Sequence, residues 1–172
     1  MIRAAGPDDV PALAALARRT WSAAFGDGVA PENEQAELDG RRSEAYFAEA
    51  LATRTILVAE EDGALLGYVQ LGDVRIPEVD VRPGDQALQR LYVDTELQGR
   101  GLGRELLEAA LRHPRLAGAR RVFLTVWEEN ERALRLYESV GFHRVGTTTF
   151  TVGTEVMEDL VLVLSSPSAS AP

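Results

Sequence analysis

The sequence predicts an α/β (α+β) fold in one domain, a central sheet of about seven strands flanked by about four helices. Three stretches predict it. Leu88 to Gly103 reads L-Q-R-L-Y-V-D-T-E-L-Q-G-R-G-L-G and runs into R-E-L-L-E-A-A-L, a strand, a polar loop, three spaced glycines and a helix. Thr55–Glu60 and Ala64–Leu71 are two apolar runs joined by Glu61-Asp62-Gly63, a strong hairpin signal. From Asn130, N-E-R-A-L-R-L-Y-E-S-V-G-F is a helix capped by Asn130 and stopped at Gly141.

The elements follow in order. Met1 to Ala5 forms a short first strand, and Gly6-Pro7-Asp8-Asp9 opens a helix with Pro and acids in its first turn. Val10, Leu13, Ala14, Ala17, Trp21 and Phe25 line one face of that helix, which Gly26-Asp27-Gly28 ends. Pro31 to Ala52 is a second helical region with a break expected at Asp39-Gly40; Tyr46 and Phe47 lie on its apolar face and read first as core. After the hairpin, Asp73 to Asp85 holds Pro77, Pro83 and Gly84 and reads as a loop. The helix after the glycines ends at His113-Pro114. Arg121 to Trp127 alternates Val122, Leu124, Val126 with Phe123, Thr125, Trp127, as a strand does. Strands at 144–152 and 155–164 close a domain spanning 1–164, and 165–172 is a Ser/Ala/Pro tail expected to be disordered.

Composition bounds the function. The chain of 172 residues is 45% hydrophobic and 26% charged, enough for one proper core. No run of eighteen apolar residues and no leader-like N-terminus occurs, so no membrane partner is expected and the location is expected to be cytoplasmic. Cysteine is absent, which excludes disulfides, thiolate metal sites and an acyl-cysteine intermediate. His113 and His143 have no metal-ligand spacing, and no metal site is expected. A net charge of −9 repels nucleic acid and favours a cationic small partner.

The glycine loop points to a phosphate-bearing ligand. A helix start leaves its first N–H groups unpaired and partly positive, and glycines let a ligand approach them. A P-loop needs Lys, of which the chain has none, and the dinucleotide fingerprint needs glycine where Arg104 and Leu106 stand. Tight packing of a strand-to-helix turn is the alternative reading. What fits is Q-x-x-G-x-G, met by Gln98, Gly101 and Gly103.

That loop resembles the pyrophosphate loop of the GNAT superfamily of N-acetyltransferases. W-E-E-N-E-R-A-L-R-L-Y-E-S-V-G-F from Trp127 looks like the family's second motif, in the family's order, where an Asn and a Tyr of one helix face the cofactor. Asn130, Ala133, Leu134 and Tyr137 share a helix face by spacing. The resemblance covers nearly the whole chain. It implies a mixed, mostly antiparallel twisted sheet, acetyl-CoA (coenzyme A) as cofactor, and a small amine as partner, with a homodimer left open.

The resemblance also implies roles. Amides of Gln98, Gly99, Arg100, Gly101, Leu102, Gly103 and Arg104 would hold pyrophosphate, with Asn130 and Leu134 beside the pantetheine arm. Backbone groups of Leu91, Tyr92 and Val93 would pair with that arm, and one free N–H there could polarise the carbonyl. Tyr137 matches the usual proton donor to the departing thiolate. Many relatives carry a Glu base on the fourth strand, where this chain has Gln89-Arg90; Asp159, Glu128 or a water chain stay open. Without Cys, direct attack in a ternary complex is expected over a covalent relay. F-T-V-G-T-E-V-M-E-D-L looks closest to the bacterial spermidine/spermine N-acetyltransferase branch, which implies a polyamine acceptor met by Asp159, Glu155 and Glu128. Other amines (aminoglycosides, amino acids, protein N-termini) and a non-catalytic acyl-CoA-binding module are the alternatives.

Overall fold

The computed structural model describes residues 1–166. Its strands are β1 (Ile2–Ala4), β2 (Thr55–Glu61), β3 (Ala64–Gly72), β4 (Asp85–Val93), β5 (Arg121–Trp127), β6 (His143–Val152) and β7 (Glu155–Ser165). Its helices are α1 (Val10–Phe25), α2 (Pro31–Asp39), α3 (Glu44–Thr53), α4 (Leu102–Arg112), α5 (Pro114–Ala117) and α6 (Glu131–Ser139). The seven strands form one sheet in the order β1-β2-β3-β4-β5-β7-β6. Every neighbouring pair is antiparallel except β4 and β5, which are parallel and joined through α4 and α5. A parallel pair needs such a crossover.

Among the described residues six α-helices stand where about four were expected, because two breaks are real. The second helical region stops at Gly40, whose ψ of −94° leaves the helix, and Ser43 then caps α3 by accepting from the Tyr46 N–H. Past His113, Pro114 starts one further turn, α5, and the His113 ring accepts from the Arg115 N–H. The Ser/Ala/Pro tail at 165–172 lies outside the described residues except for Ser165, which ends β7, and Ser166, whose N–H bonds the Arg120 carbonyl. Among the described residues no helix is long and apolar enough to cross a membrane.

Strand alternation divides the core. Leu57, Ala59, Val69 and Leu71 face α4 and α6, and Ile56, Val58 and Tyr68 face α1 and α3. The β2–β3 turn is the expected one, with Asp62 at φ 50° and Gly63 at φ 80°. β4 starts three residues earlier than the apolar run suggests. Buried Asp85 is held there by two hydrogen bonds from Arg121, at 3.0 and 2.5 Å, and one from the Arg82 N–H. Burial alone would raise this carboxyl; those donors outweigh it and keep it below the ordinary carboxylate range.

Gly67 lies where β3 passes under α4. A Cβ there would sit 2.9 Å from both Leu106 Cδ1 and the Tyr92 carbonyl. Gly67→Ala should therefore destabilise the protein by about 1–3 kcal/mol, as overpacking does. Thermal unfolding measures this, and an unchanged Tm would mean that the contact relaxes freely.

Candidate active site

β4 and β5 pair only through Asp85↔Arg121, Gln86↔Val122 and Ala87↔Phe123. Beyond Ala87 β4 stays paired with β3 alone and β5 with β7 alone. The sheet is split from its middle to one end. Backbone groups of Leu88 to Val93 on the β5 side thus have no strand partner, which is an edge able to take an extended, amide-bearing chain. Gln89 is the pivot: Gln70 pairs with Arg90 and Leu71 with Leu88, so Gln89 is an extra residue in β4. Such a bulge bends its strand and ends pairing beside many active sites.

One continuous cleft occupies the split. Thr95, Gln98, Gly99, Gly103 and Arg132 line one end. Leu91, Val93, Phe25, Trp127 and Tyr137 line the middle, where the Phe25 and Trp127 rings are 6.1 Å apart. Glu37, Arg41, Arg42, Arg90, Thr125 and Asp159 line the other end.

The glycine end is built for an anion. Gly99 and Gly101 have φ of 85° and 90°, and Gly101 is the N-cap of α4. Only glycine enters that region without strain. Among the described residues no acceptor faces the N–H groups of Gly99, Gly101, Leu102, Gly103 or Arg104. Space beside Gly101 is open, and a Cβ at Gly103 would meet Leu136 and Val93 only at ordinary contact distance. A loop of this kind has the chemistry to take a pyrophosphate. Arg132, which no motif singles out, donates to Gln98 Oε1 at 3.1 Å and adds a cation here. Arg100 is exposed, and Arg104 reaches Ser139 Oγ at 2.8 Å.

α6 brings two of its expected residues to the cleft and turns one away. Asn130 Oδ1 accepts from the Ala133 N–H at 3.2 Å, capping the helix at the cleft wall. Tyr137 is 6% exposed and lines the cleft, with its ring 5.8 Å from Phe142. Burial, with Tyr92 adding to it, holds its phenol proton well above the ordinary tyrosine range. Leu134 instead packs against the main core, while Ala133 and Leu136 take the cleft wall. A stripe at i, i+3, i+4 and i+7 is wider than the face a groove touches.

The three acids suggested for the acceptor part company. Asp159, in β7 opposite Trp127, lines the cleft, and its Oδ1 is buried without a hydrogen bond. Burial pushes its pKa up to about 6, against a hydrogen bond with Thr125. Glu155 is engaged elsewhere: it accepts from Asn33 Nδ2 at 2.7 Å and from the Ala30 N–H at 3.0 Å. Those bonds, Asn33 first, hold it below the ordinary carboxylate range and fasten the start of α2 to the β6–β7 hairpin. Glu128 is exposed in the turn after β5, with no hydrogen bond or ion pair among the described residues, and its neighbour Glu129 lines the cleft. Arg42, Arg90 and Glu37 have no sequence signal. They meet only because α2, α3 and β4 converge.

Known proteins agree with this architecture. The profile of the acetyltransferase (GNAT) family matches residues 11–142. An uncharacterized N-acetyltransferase of Mycobacterium tuberculosis is 38% identical over 159 residues, covering 90% of this chain and 96% of the relative. A spermine/spermidine N(1)-acetyltransferase of Bacillus subtilis is 34% identical over 97 residues, 56% of this chain and 63% of the relative. Among solved structures, the PaiA N-acetyltransferase of Thermoplasma acidophilum in complex with coenzyme A superposes with a TM-score of 0.77 at 20% identity, over 96% of this chain and 98% of the other. With the split sheet, the glycine loop and the match over most of its length, this chain belongs to the GNAT family of acetyltransferases.

Proposed function

We propose that the cleft binds acetyl-CoA along the open edge of β4 and that Asp159 and Tyr137 assist transfer of its acetyl group to a primary amine. The observation that carries this reading is the continuity of the cleft, with a loop suited to an anion at one end and, at the other, the half-buried Asp159 carboxylate, whose Oδ1 is buried without a hydrogen bond. The solved relative holding coenzyme A supports the cofactor. Because the chain has no Cys and the cleft has room at both ends, the amine attacks directly.

Acetyl-CoA supplies a thioester whose acyl carbon bonds the amine nitrogen as its C–S bond breaks. An alkylammonium with a pKa near 10.4 is only about one part in a thousand neutral at pH 7, so the reaction needs a proton acceptor. Asp159 takes that proton. Tyr137, which burial keeps protonated, would give its phenol proton to the thiolate as it departs and regain one from solvent. The N–H groups of β4 left without a β5 partner would serve as donors to the thioester carbonyl.

A polyamine acceptor has one support, the Bacillus relative named for spermine and spermidine. An acyl-CoA-binding module without turnover has none in the cleft, which carries both proton-handling groups.

Gly101→Asp and Gly101→Asn test the cofactor reading. Both tolerate φ 90° similarly and are alike in size, but only Asp puts a charge where the pyrophosphate lies. Calorimetry should show coenzyme A affinity at least about tenfold weaker in the Asp variant than in the Asn variant, the weight of one charge-assisted contact. Equal affinities in two folded variants would remove the loop from the site.

A further inference from the structure

The acceptor end of the cleft is cationic although the chain as a whole carries −9. Arg41, Arg42 and Arg90 line it. Glu37 is shared between Arg41 at 3.1 Å and Arg42 at 3.3 Å, so with Arg90 three guanidiniums stand there against two carboxylates, Glu37 and Asp159. Arg42 is 6% exposed, and its Nε and Nη1 are buried without an acceptor. Arg90 donates from Nη1 to the Arg41 carbonyl at 2.9 Å and meets no carboxylate among the described residues. Its guanidinium lies 4.2 Å from the Tyr46 ring centroid, and that of Arg42 lies 5.4 Å from Tyr92. The Tyr68 hydroxyl, close to both cations, makes no hydrogen bond of good geometry.

A buried guanidinium with unpartnered donors, Arg42, beside a second, half-buried one, Arg90, is a costly pairing of like charges. Burial, and then the charge of Arg42, lower the affinity of Arg90 for its own proton, as expected of such a pair. An anion beside Arg90 relieves both effects. A planar guanidinium flanked by an aromatic face suits a planar carboxylate, which takes two parallel hydrogen bonds. A polyamine would bring further cations against these arginines.

We propose that the acceptor carries a carboxylate as well as the amine to be acetylated, and that Arg90, with Arg42 behind it, holds that carboxylate while the amino group faces Asp159. The substrate class is then small amino carboxylates, amino acids and their near relatives. This proposal rests on the acetyl-transfer reading.

The test compares L-amino acids, the same amino acids as carboxamides, and spermidine, each with acetyl-CoA, by release of free thiol. The wild-type protein should favour carboxylates over their amides by at least tenfold in kcat/KM. Arg90→Gln should shrink that ratio at least tenfold, chiefly through KM. Amides or spermidine matching or exceeding the carboxylates would overturn the proposal while leaving acetyl transfer intact. No release of thiol with any of these amines, together with no calorimetric binding of acetyl-CoA, would overturn the underlying reading and this proposal with it. If Arg90→Gln does not fold, the wild-type acid–amide comparison decides alone.

Discussion

Asp159→Asn should lower kcat/KM by about 10²–10⁴-fold, the span of general base catalysis, and should make the protein more stable at neutral pH. The first half follows from the role of the carboxylate. In the native enzyme the rate should rise with pH through about 6, where Asp159 loses its proton. That acid limb should vanish in the Asn variant. Arg41, Arg42, Arg90 and Glu37 line the same cleft end, but the arginines stay charged throughout this range. The second half follows from linkage. The folded pKa is raised above the unfolded one, so the folded state binds the proton more tightly, and stability falls as pH rises from about 4 to 6. At pH 7 the ionised group is a net cost, about 1 kcal/mol once solvent screening of this partly exposed side chain is allowed for. Removing the charge should raise Tm by about 2–4 °C at pH 7 and leave it unchanged at pH 4. A variant that keeps full activity, or loses its acid limb without losing rate, would clear Asp159 of the base role.

Tyr137→Phe should lower kcat by about 10²-fold and leave acetyl-CoA affinity nearly unchanged. The ring keeps its contact with Phe142 and the cleft wall, so packing is preserved. Only the hydroxyl is lost, and no protein group bonds it, so no buried partner is stranded. Acceptors and cofactor should therefore bind as before, and the deficit should appear at saturation. Single-turnover kinetics separates this from slow product release. Full turnover in the Phe variant would return Tyr137 to the core.

How much of this was legible in the sequence depended on how local the information was. Gly99, Gly101 and Gly103 lie within five residues, and the positive φ values they adopt are a local need. Asn130 caps one short helix that carries Tyr137, so spacing sufficed to bring both to the cleft wall. The acceptor end was not local. Glu37, Arg42, Arg90 and Asp159 come from four elements, and no spacing rule connects them. Overall acidity pointed to a cationic substrate, yet the charges that count are the few facing the cleft. Glu155 shows the opposite error: strand alternation linked it to Asp159, but a hairpin tip reaches the start of α2 and its carboxylate is claimed there. Tyr46, which first reads as core, has its hydroxyl bonded by Gln70 Nε2 at 2.9 Å and its ring under Arg90. Phe47 next to it is core as expected, 0% exposed.

The extra residue at Gln89 behaves as a frameshift written in three dimensions. Leu88, Leu91 and Val93 all pack toward α4 although 88 and 91 are an odd number apart, while Arg90 and Tyr92 point to the aromatic side with Tyr46 and Tyr68. Without the insertion, every side chain after it would change sides. Arginine would then enter the apolar floor beneath the cofactor, and leucine would take its place at the acceptor. With it, one strand has two independent readouts. On the proposed reading, substitutions at 90 and 92 should alter which amine is accepted and those at 91 and 93 how the cofactor is floored, with the backbone edge that both share left in place. Descendants of such a strand can exchange acceptors by changing single residues on one side while keeping the same donor.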